Sequence, residues 1–317
     1  MAFLDRSSRG RLLVSGSDRA SYLQGLLTND TVALRAGEGC YSAYLTPQGR
    51  MISDLWVYEL GDVLLLSLPG EAKDTVLAKL DQFIFSEDVQ LGDVTATFGQ
   101  IAVVGPDAAR LVSLLMDESP VTRLAALPEH GNIRGTIAAQ PAIVTRITDV
   151  GEPGFDIYVE RAGVGALKAR LIDAGAVELD PETADVLRVE AGVPEFHRDM
   201  DEETIPLEAG IEQRAISQTK GCYVGQEVII RVLHRGHGKV ARKLVGLTLD
   251  GNTLPARGSI VKSDQKDVGE ITSSVRSIAL DKPIALGYLQ RDFLEPGTRV
   301  SVEGSDAVVT PLPFRHD

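Results

Sequence analysis

Along the first half of the chain, apolar and polar positions group into short blocks whose period switches between two and about 3.6 residues. Arg11–Gly16 (RLLVSG) has the composition of a strand. Ser17 or Asp18 then offers a cap, and the apolar spacing of Arg19–Leu27 predicts a helix. The phrase returns later. Val103, Gly105, Asp107 and Ala109 in VVGPDAARL echo Val14, Gly16, Asp18 and Ala20 in VSGSDRASYL. An internal duplication and two separate uses of good turn chemistry both account for the echo. Between the copies, residues 40–68 alternate β-prone stretches with turns at Pro47-Gln48-Gly49 and Gly61-Asp62, which predicts a strand meander.

Pro69–Gln82 reads as a helix. Ala142–Asp149 and Gly154–Glu160 form a strand pair around the Gly151-Glu152-Pro153-Gly154 loop, and Ala162–Asp173 is helical again. Pro181 opens a further helix at a position where its missing N–H costs nothing, and Gly192 with Pro194 closes it. From about residue 240 the helical period stops. KLVGLTL, GSIVKS, VGEITSS, ALGYLQ and RVSVEG alternate with Gly, Asp and Pro turns, the pattern of a small antiparallel barrel. The fold class is therefore α+β, with a body over residues 1–240 and a C-terminal β-barrel over 241–317. No low-complexity tract or long linker intervenes, so the barrel is expected to pack on the body.

Composition narrows the function. Hydrophobic residues at 44% and charged residues at 24% are those of a globular protein that folds throughout. A formal net charge of −13 removes the broad basic surface that a phosphate-backbone binder uses. No apolar run approaches the roughly 20 residues that span a bilayer. The opening MAFLDRSSRGRLLVSG lacks a signal peptide's apolar core, so the expected location is cytoplasmic, with no membrane partner. Cys40 and Cys222, the two cysteines, lack paired metal or redox spacing and are expected to be reduced thiols.

The most specific string is Lys220-Gly221-Cys222-Tyr223-Val224-Gly225-Gln226-Glu227. An ammonium two residues from a thiol, with glycines on either side, can stabilise a thiolate and present its sulfur, which makes Cys222 and Lys220 candidate catalytic residues. Gln226 and Glu227 would orient that environment. The competing reading makes Cys222 a small buried hydrophobe in a Gly-rich turn.

This octapeptide resembles the K-G-C-[FY]-x-G-Q-E signature of the YgfZ branch of the aminomethyltransferase-like folate-binding proteins. Leu26–Asp30, Gly49–Asp54, Gly154–Ile157 and Arg188–Gly192 fall in the order that superfamily shows, so the resemblance spans nearly the whole chain. It implies intertwined α+β subdomains before the barrel and tetrahydrofolate, or a one-carbon derivative, as cofactor. It also implies a folate pocket using Asp54, Asp156 and Arg188, with Glu152 a less favoured substitute for Asp156. The chemistry suits those types: a carboxylate accepts from a pterin's donor edge, and an arginine fork matches a carboxylate. Two departures stand out. Ser53-Asp54 replaces an acid pair, and Asp149 stands where the related transferases place a pocket tyrosine, so proton handling is in doubt although Asp54 remains a candidate catalytic acid.

A local basic stretch, Arg231, His234, Arg235, His237, Lys239, Arg242 and Lys243, follows the octapeptide. It reads first as a solvated hairpin face, and otherwise as a site for a polyglutamyl tail or RNA phosphate. His234 and His237 with Cys222 lack a fourth ligand at recognisable spacing, so no metal site is expected. The resemblance favours an accessory protein without conventional enzymatic turnover, supporting iron–sulfur client enzymes or assembly proteins, including tRNA-modifying ones. Its alternative is a tetrahydrofolate-dependent aminomethyltransferase or demethylase. Direct tRNA binding is the weakest reading.

Overall fold

The computed structural model describes residues 1–235 and 238–314, and for residues 234 and 235 the backbone alone. The body is built from two copies of one plan. The chain opens with β1 (Ala2–Asp5). The first unit then runs β2 (Gly10–Ser15), α1 (Arg19–Gln24), β3 (Gly39–Leu45), β4 (Met51–Glu59), β5 (Leu64–Leu68), a 3-10 turn leading into α2 (Lys73–Asp81), and β6 (Gln90–Asp93). The second runs β7 (Phe98–Val104), α3 (Ala108–Leu115), α4 (Val121–Ala126), β8 (Asn132–Ile137), β9 (Gln140–Ile147), β10 (Gly154–Glu160), a 3-10 turn leading into α5 (Val164–Asp173), and β11 (Val177–Glu178).

The sheet orders coincide over four strands. One sheet is β3-β4-β5-β2-β6, and the other contains β8-β9-β10-β7 followed by β1 and β11. Four strands of each unit thus take equivalent places, with β1 beside β7 where β6 stands beside β2, which favours duplication over two chance uses of a turn. Because β1 pairs with β7 and β11, the N-terminal strand belongs to the second unit's sheet, and the two units are intertwined. The shared turn has a physical cause. Gly16 and Gly105 adopt φ of +102° and +123°, and a Cβ on Gly16 would lie 1.9 Å from the Asp88 carbonyl oxygen. That conformation and clearance require glycine. The expected aspartate cap is corrected: Asp18 makes no cap bond to α1 and instead accepts from the Asp88 backbone N–H at 2.8 Å, pinning the loop that follows α2.

α6 (Pro181–Glu190) begins at Pro181 as expected, and Asp180 caps it by accepting from Thr183 N–H at 2.8 Å. Three short helices follow: α7 (Pro206–Ala209), α8 (Glu212–Ala215) and α9 (Gln226–Ile230), the last continuing into a π-helical turn over Arg231–Arg235. The hairpin expected over 231–243 is therefore corrected, since helix runs to residue 235.

The closed barrel takes β12 (Arg242–Leu249), β13 (Ile260–Ser263), β14 (Lys266–Ser277), β15 (Lys282–Gln290), β16 (Arg299–Val302) and β17 (Ser305–Thr310), in the order β12-β15-β14-β13-β16-β17. The sixth strand, SDAVVT, is absent from the sequence reading because a Gly304 turn separates it from β16 by two residues. Leu247, Val261, Ile271 and Leu289 fill the interior. A second apolar cluster joins Val189 of α6 to Leu244, Ile284, Leu286 and Phe314, so the barrel is packed on the body. Each such burial contributes about 1.5–3 kcal/mol. Among the described residues no helix is long and apolar enough to cross a membrane.

Candidate functional site

A cavity of about 540 Å³ opens where the β1–β2 loop, β4, the β9–β10 loop, α6 and the chain after α6 converge. Its size is that of a cavity holding a drug-sized ligand. Asp54 and Trp56 of β4, Arg6 and Arg9 of the β1–β2 loop, Asp149, and Arg188 of α6 all line it.

Asp54 comes from a strand buried on both faces. Its Oδ2 accepts from the Tyr41 hydroxyl at 2.8 Å, while Oδ1 is buried and has no hydrogen-bond partner among the described residues. Burial raises the Asp54 carboxyl above the ordinary range, against the charge of Arg9 and the Tyr41 bond. Beside it the Arg9 guanidinium lies 4.5 Å from the Trp56 ring centroid, and its Nε donates to Ser67 Oγ at 3.3 Å. Arg9 Nη2 is buried without an acceptor among the described residues.

Arg6 donates to both oxygens of Asp149, at 2.8 and 3.2 Å, and the same Nη1 is 3.5 Å from Asp156 Oδ2. Burial raises both carboxyls, but the charge and hydrogen bonds of Arg6, aided by Arg9, hold Asp149 below its usual range. Asp156 stays raised, because the Asp149 charge adds to burial. Asp156 is 3% exposed and is not among the lining residues. Its Oδ2 accepts from Gln100 at 2.8 Å, and Oδ1 is unpartnered among the described residues. Asp156 therefore lies behind the wall that Arg6 and Asp149 form. Glu152 also lies outside the lining.

Arg188 differs from the role the resemblance implies. Nε and Nη2 donate to Asp185 at 2.9 and 2.7 Å, Nη1 to Asp199 at 2.6 Å and to the Val193 carbonyl at 2.9 Å, and Nη2 also to Ser273 Oγ of β14 at 3.0 Å. Its fork is spent on fastening α6, the following loop and the barrel.

The octapeptide lies apart from the cavity, and none of its residues is among the lining. Lys220 Nζ donates to the carbonyls of Gln24, Leu27 and Asn29 at 2.7, 2.6 and 2.9 Å. Burial lowers this ammonium to about 8. Its charge is felt by Cys40, opposing the burial that pushes that thiol up to about 12. The premise that Lys220 serves the Cys222 sulfur is corrected: all three N–H donors face backbone carbonyls. Cys222 itself is exposed. Gly225, at φ +85°, approaches the Thr46 carbonyl so closely that a Cβ would sit 2.5 Å from it, and 3.2 Å from Gly49 Cα. Together with Val224 N–H donating to the Gly25 carbonyl at 3.1 Å, this makes the segment a clamp between the α1 end and the β3–β4 hairpin.

In the basic stretch, Arg242 pairs with Glu208 at 3.3 Å and Glu270 at 3.6 Å, and Lys243 with Glu212 at 3.5 Å, so both cations already have anionic partners. His237 lies outside the described residues, as do the side chains of His234 and Arg235. Among the described residues no group of three or more His, Cys, Asp or Glu could hold a metal ion. Arg6, Arg9, Tyr41, Trp56 and Gln100 are site residues the sequence reading missed. The one available signal was two arginines three apart in DRSSRG, just ahead of an apolar strand.

Two intertwined units sharing one plan, capped by a closed six-strand barrel and enclosing an acid- and arginine-lined cavity, define the class of the aminomethyltransferase-like proteins. Residues 1–220 match the family described as GCVT N-terminal domain, and residues 242–314 that described as glycine cleavage T-protein C-terminal barrel domain. The chain belongs to this glycine cleavage T-protein family. Proteins named Aminomethyltransferase from Nostoc sp. and from Rubrobacter xylanophilus are each 31% identical to it, over 98% of this chain and 83% and 82% of theirs. The crystal structure of glycine cleavage system aminomethyltransferase T from Bartonella henselae superposes with a TM-score of 0.88, at 22% identity, over 99% of this chain and 86% of that one; it shows the fold. These relatives correct the leading functional expectation. An iron–sulfur accessory protein without enzymatic turnover is not what they support; the transferase alternative is.

Proposed function

We propose that the chain is a tetrahydrofolate-dependent one-carbon transferase of the glycine-cleavage type, or a closely related demethylase, working in the 540 Å³ cavity. The observation that carries this is Asp54. Asp54 lines this ligand-sized space and carries a buried carboxylate oxygen without a partner among the described residues, in a chain 31% identical to a protein named Aminomethyltransferase over 98% of its length. A buried acceptor left unmade is costly, so the site suits a ligand that brings an N–H.

Asp54 would accept that donor and hold or move a proton at Oδ1, with Tyr41 fixing the other oxygen. Arg6 and Asp149 would form the wall, and Arg188 would keep α6 in place. Bound tetrahydrofolate would supply the nucleophilic nitrogen that receives the one-carbon unit. The octapeptide around Cys222 supports placing the chain in the YgfZ-like branch of the family. We also place the boundary between body and barrel at residues 240 and 241, and the protein in the cytoplasm.

The test is turnover by the purified chain with tetrahydrofolate and either an aminomethylated lipoyl carrier protein or a small N-methyl amine. Product dependent on tetrahydrofolate, lost in Asp54→Asn, is expected. No folate binding and no turnover with either donor would refute the reading.

A further inference from the structure

The second unit has a cavity at the place where the first unit is covered by its own chain. Leu68 of β5 and Val159 of β10 hold equivalent positions, since they pair with Gly10 and Gly99. Each strand then enters a 3-10 turn, Gly70–Ala72 before α2 and Arg161–Gly163 before α5. In the first unit, the chain after α6 covers the space between that turn and the β3–β4 hairpin. Its Phe196 and Met200, each 1% exposed, share one apolar cluster with Tyr44, Leu68, Ala72 and Val76. Both lips hold it. His197 Nδ1 lies 3.5 Å from Glu71 of the turn, Glu203 pairs with Arg50 of the hairpin, and Met51 N–H donates to the Thr204 carbonyl at 2.9 Å.

In the second unit the same place is an open cavity of about 270 Å³ between the Arg161–Gly163 turn, α5 and the β8–β9 turn. Ile137, Val159 and Leu167 give it an apolar lining, with the small residues Gly163 and Ala166 beside them. A Cβ on Gly163 would meet only Val159 Cγ2, at 4.0 Å. The lips repeat the charges of the first unit. Glu160 adjoins the 3-10 turn, as Glu71 marks the other turn. Arg170 stands on the hairpin side, within charge range of Asp117, whose carboxylate accepts from Ala138 and Ala139 N–H at 3.2 and 2.8 Å. Neither Glu160 nor Arg170 forms an ion pair among the described residues. We infer that this cavity docks an extended segment of a partner protein with a basic residue, a large apolar residue three positions on, and an acidic residue three further. His197, Met200 and Glu203 present that order in the first unit. The apolar side chain fills the pocket, the basic residue meets Glu160 and the acidic one meets Arg170, the mode in which pockets for spaced side chains select an extended peptide.

The experiment selects displayed random short peptides on the full wild-type chain and counter-selects on Ala166→Phe, which fills the cavity from an exposed position of α5. Gly163→Leu fills the same space and replaces Ala166→Phe should that variant unfold. Peptides with the basic, apolar, acidic spacing are expected to be enriched on wild type. A synthetic copy, titrated by fluorescence anisotropy, should lose at least about tenfold in affinity on the filled variant, a change well outside that of a single rim charge. Arg170→Glu should weaken it severalfold, and a peptide with lysine in place of its acid should recover that loss on Arg170→Glu. No peptide preferring wild type over the folded filled variants overturns the site. Cavity-dependent peptides without the charge order overturn the assigned partner. A wild-type dimer in sedimentation that Ala166→Phe dissociates overturns it too, and gives the face to a second copy of the chain.

Discussion

Arg6 and Asp149, 143 residues apart in the chain, form a two-bond ion pair at the wall of the cavity, with distances of 2.8 and 3.2 Å. The pair ties the β1–β2 loop to the β9–β10 loop. Since Nη1 also stands 3.5 Å from Asp156, one guanidinium serves two buried carboxyls. Asp149 is thus a charged strut in the cavity wall.

Removing one member of such a pair should cost more than removing both. Arg6→Met leaves Asp149 beside Asp156 without a counterion, an expected loss of about 3–5 kcal/mol for a broken buried pair. The double variant Arg6→Met with Asp149→Asn should recover a large part of that. Urea unfolding of the four proteins in a double-mutant cycle measures the coupling. Additive losses would show that the pair does not act as a unit.

Asp54→Asn should keep the fold and lower kcat/KM by about 10²–10⁴, the usual contribution of a positioned acid or base. Tyr41→Phe gives a finer test. The Tyr41 bond lowers the Asp54 carboxyl, so its loss raises that carboxyl further. If ionised Asp54 is the working form, the acid limb of kcat/KM must move to higher pH in Tyr41→Phe. An unmoved limb would mean that another group sets it.

Arg188→Lys should act on stability more than on the choice of ligand. The guanidinium joins Asp185, Val193, Asp199 and Ser273, which lie on α6, the loop after it and the barrel. A lysine ammonium cannot reproduce this planar fork. The expected outcome is a loss of about 2–4 kcal/mol in denaturant unfolding, by analogy with hydrogen bonds to charged groups of about 1.5–3 kcal/mol each. Affinity for folate per folded molecule should change far less. A variant of normal stability that no longer binds folate would return Arg188 to the ligand.

Much of this architecture is legible because local rules govern it. The strand-to-helix turns at Gly16 and Gly105, the Pro181 helix start and five of the barrel strands each follow from turn chemistry or periodicity within about ten residues. Asp54 is legible by resemblance, and the structure places it on the cavity. What is not legible depends on distant pairing. Arg188 reads equally well as a ligand fork or as a strut until Asp199 and Ser273 are seen beside it, and nothing near Arg9 announces that it will lie on Trp56, 47 residues later,. Lys220 misleads for the same reason. Its neighbour in sequence is Cys222, whereas its partners in space lie more than 190 residues away.

That last contrast gives a test with opposite outcomes at two positions in one motif. Lys220 binds the carbonyls of Gln24, Leu27 and Asn29, so Lys220→Met leaves three part-buried acceptors without their donor. A loss of about 2–3 kcal/mol is expected, the scale of a hydrogen bond to a charged group with its partner stranded. The damage should centre on the loop after α1, read as faster amide exchange at residues 25–31. Cys222 is exposed and outside the cavity, so Cys222→Ser should stay within about 0.5 kcal/mol of wild type and bind folate normally. Thiol reactivity supplies the complementary measurement. Burial pushes the Cys40 thiol up to about 12, and Cys40 is only half-buried, so an alkylating reagent at pH 8 should label exposed Cys222 first and Cys40 more slowly. Lys220→Met removes the charge that opposes that burial. It should therefore raise the Cys40 thiol further within the folded state, even as it increases opening. Were Lys220→Met to leave stability untouched and slow only the labelling of Cys222, the ammonium would belong to the sulfur and not to the clamp.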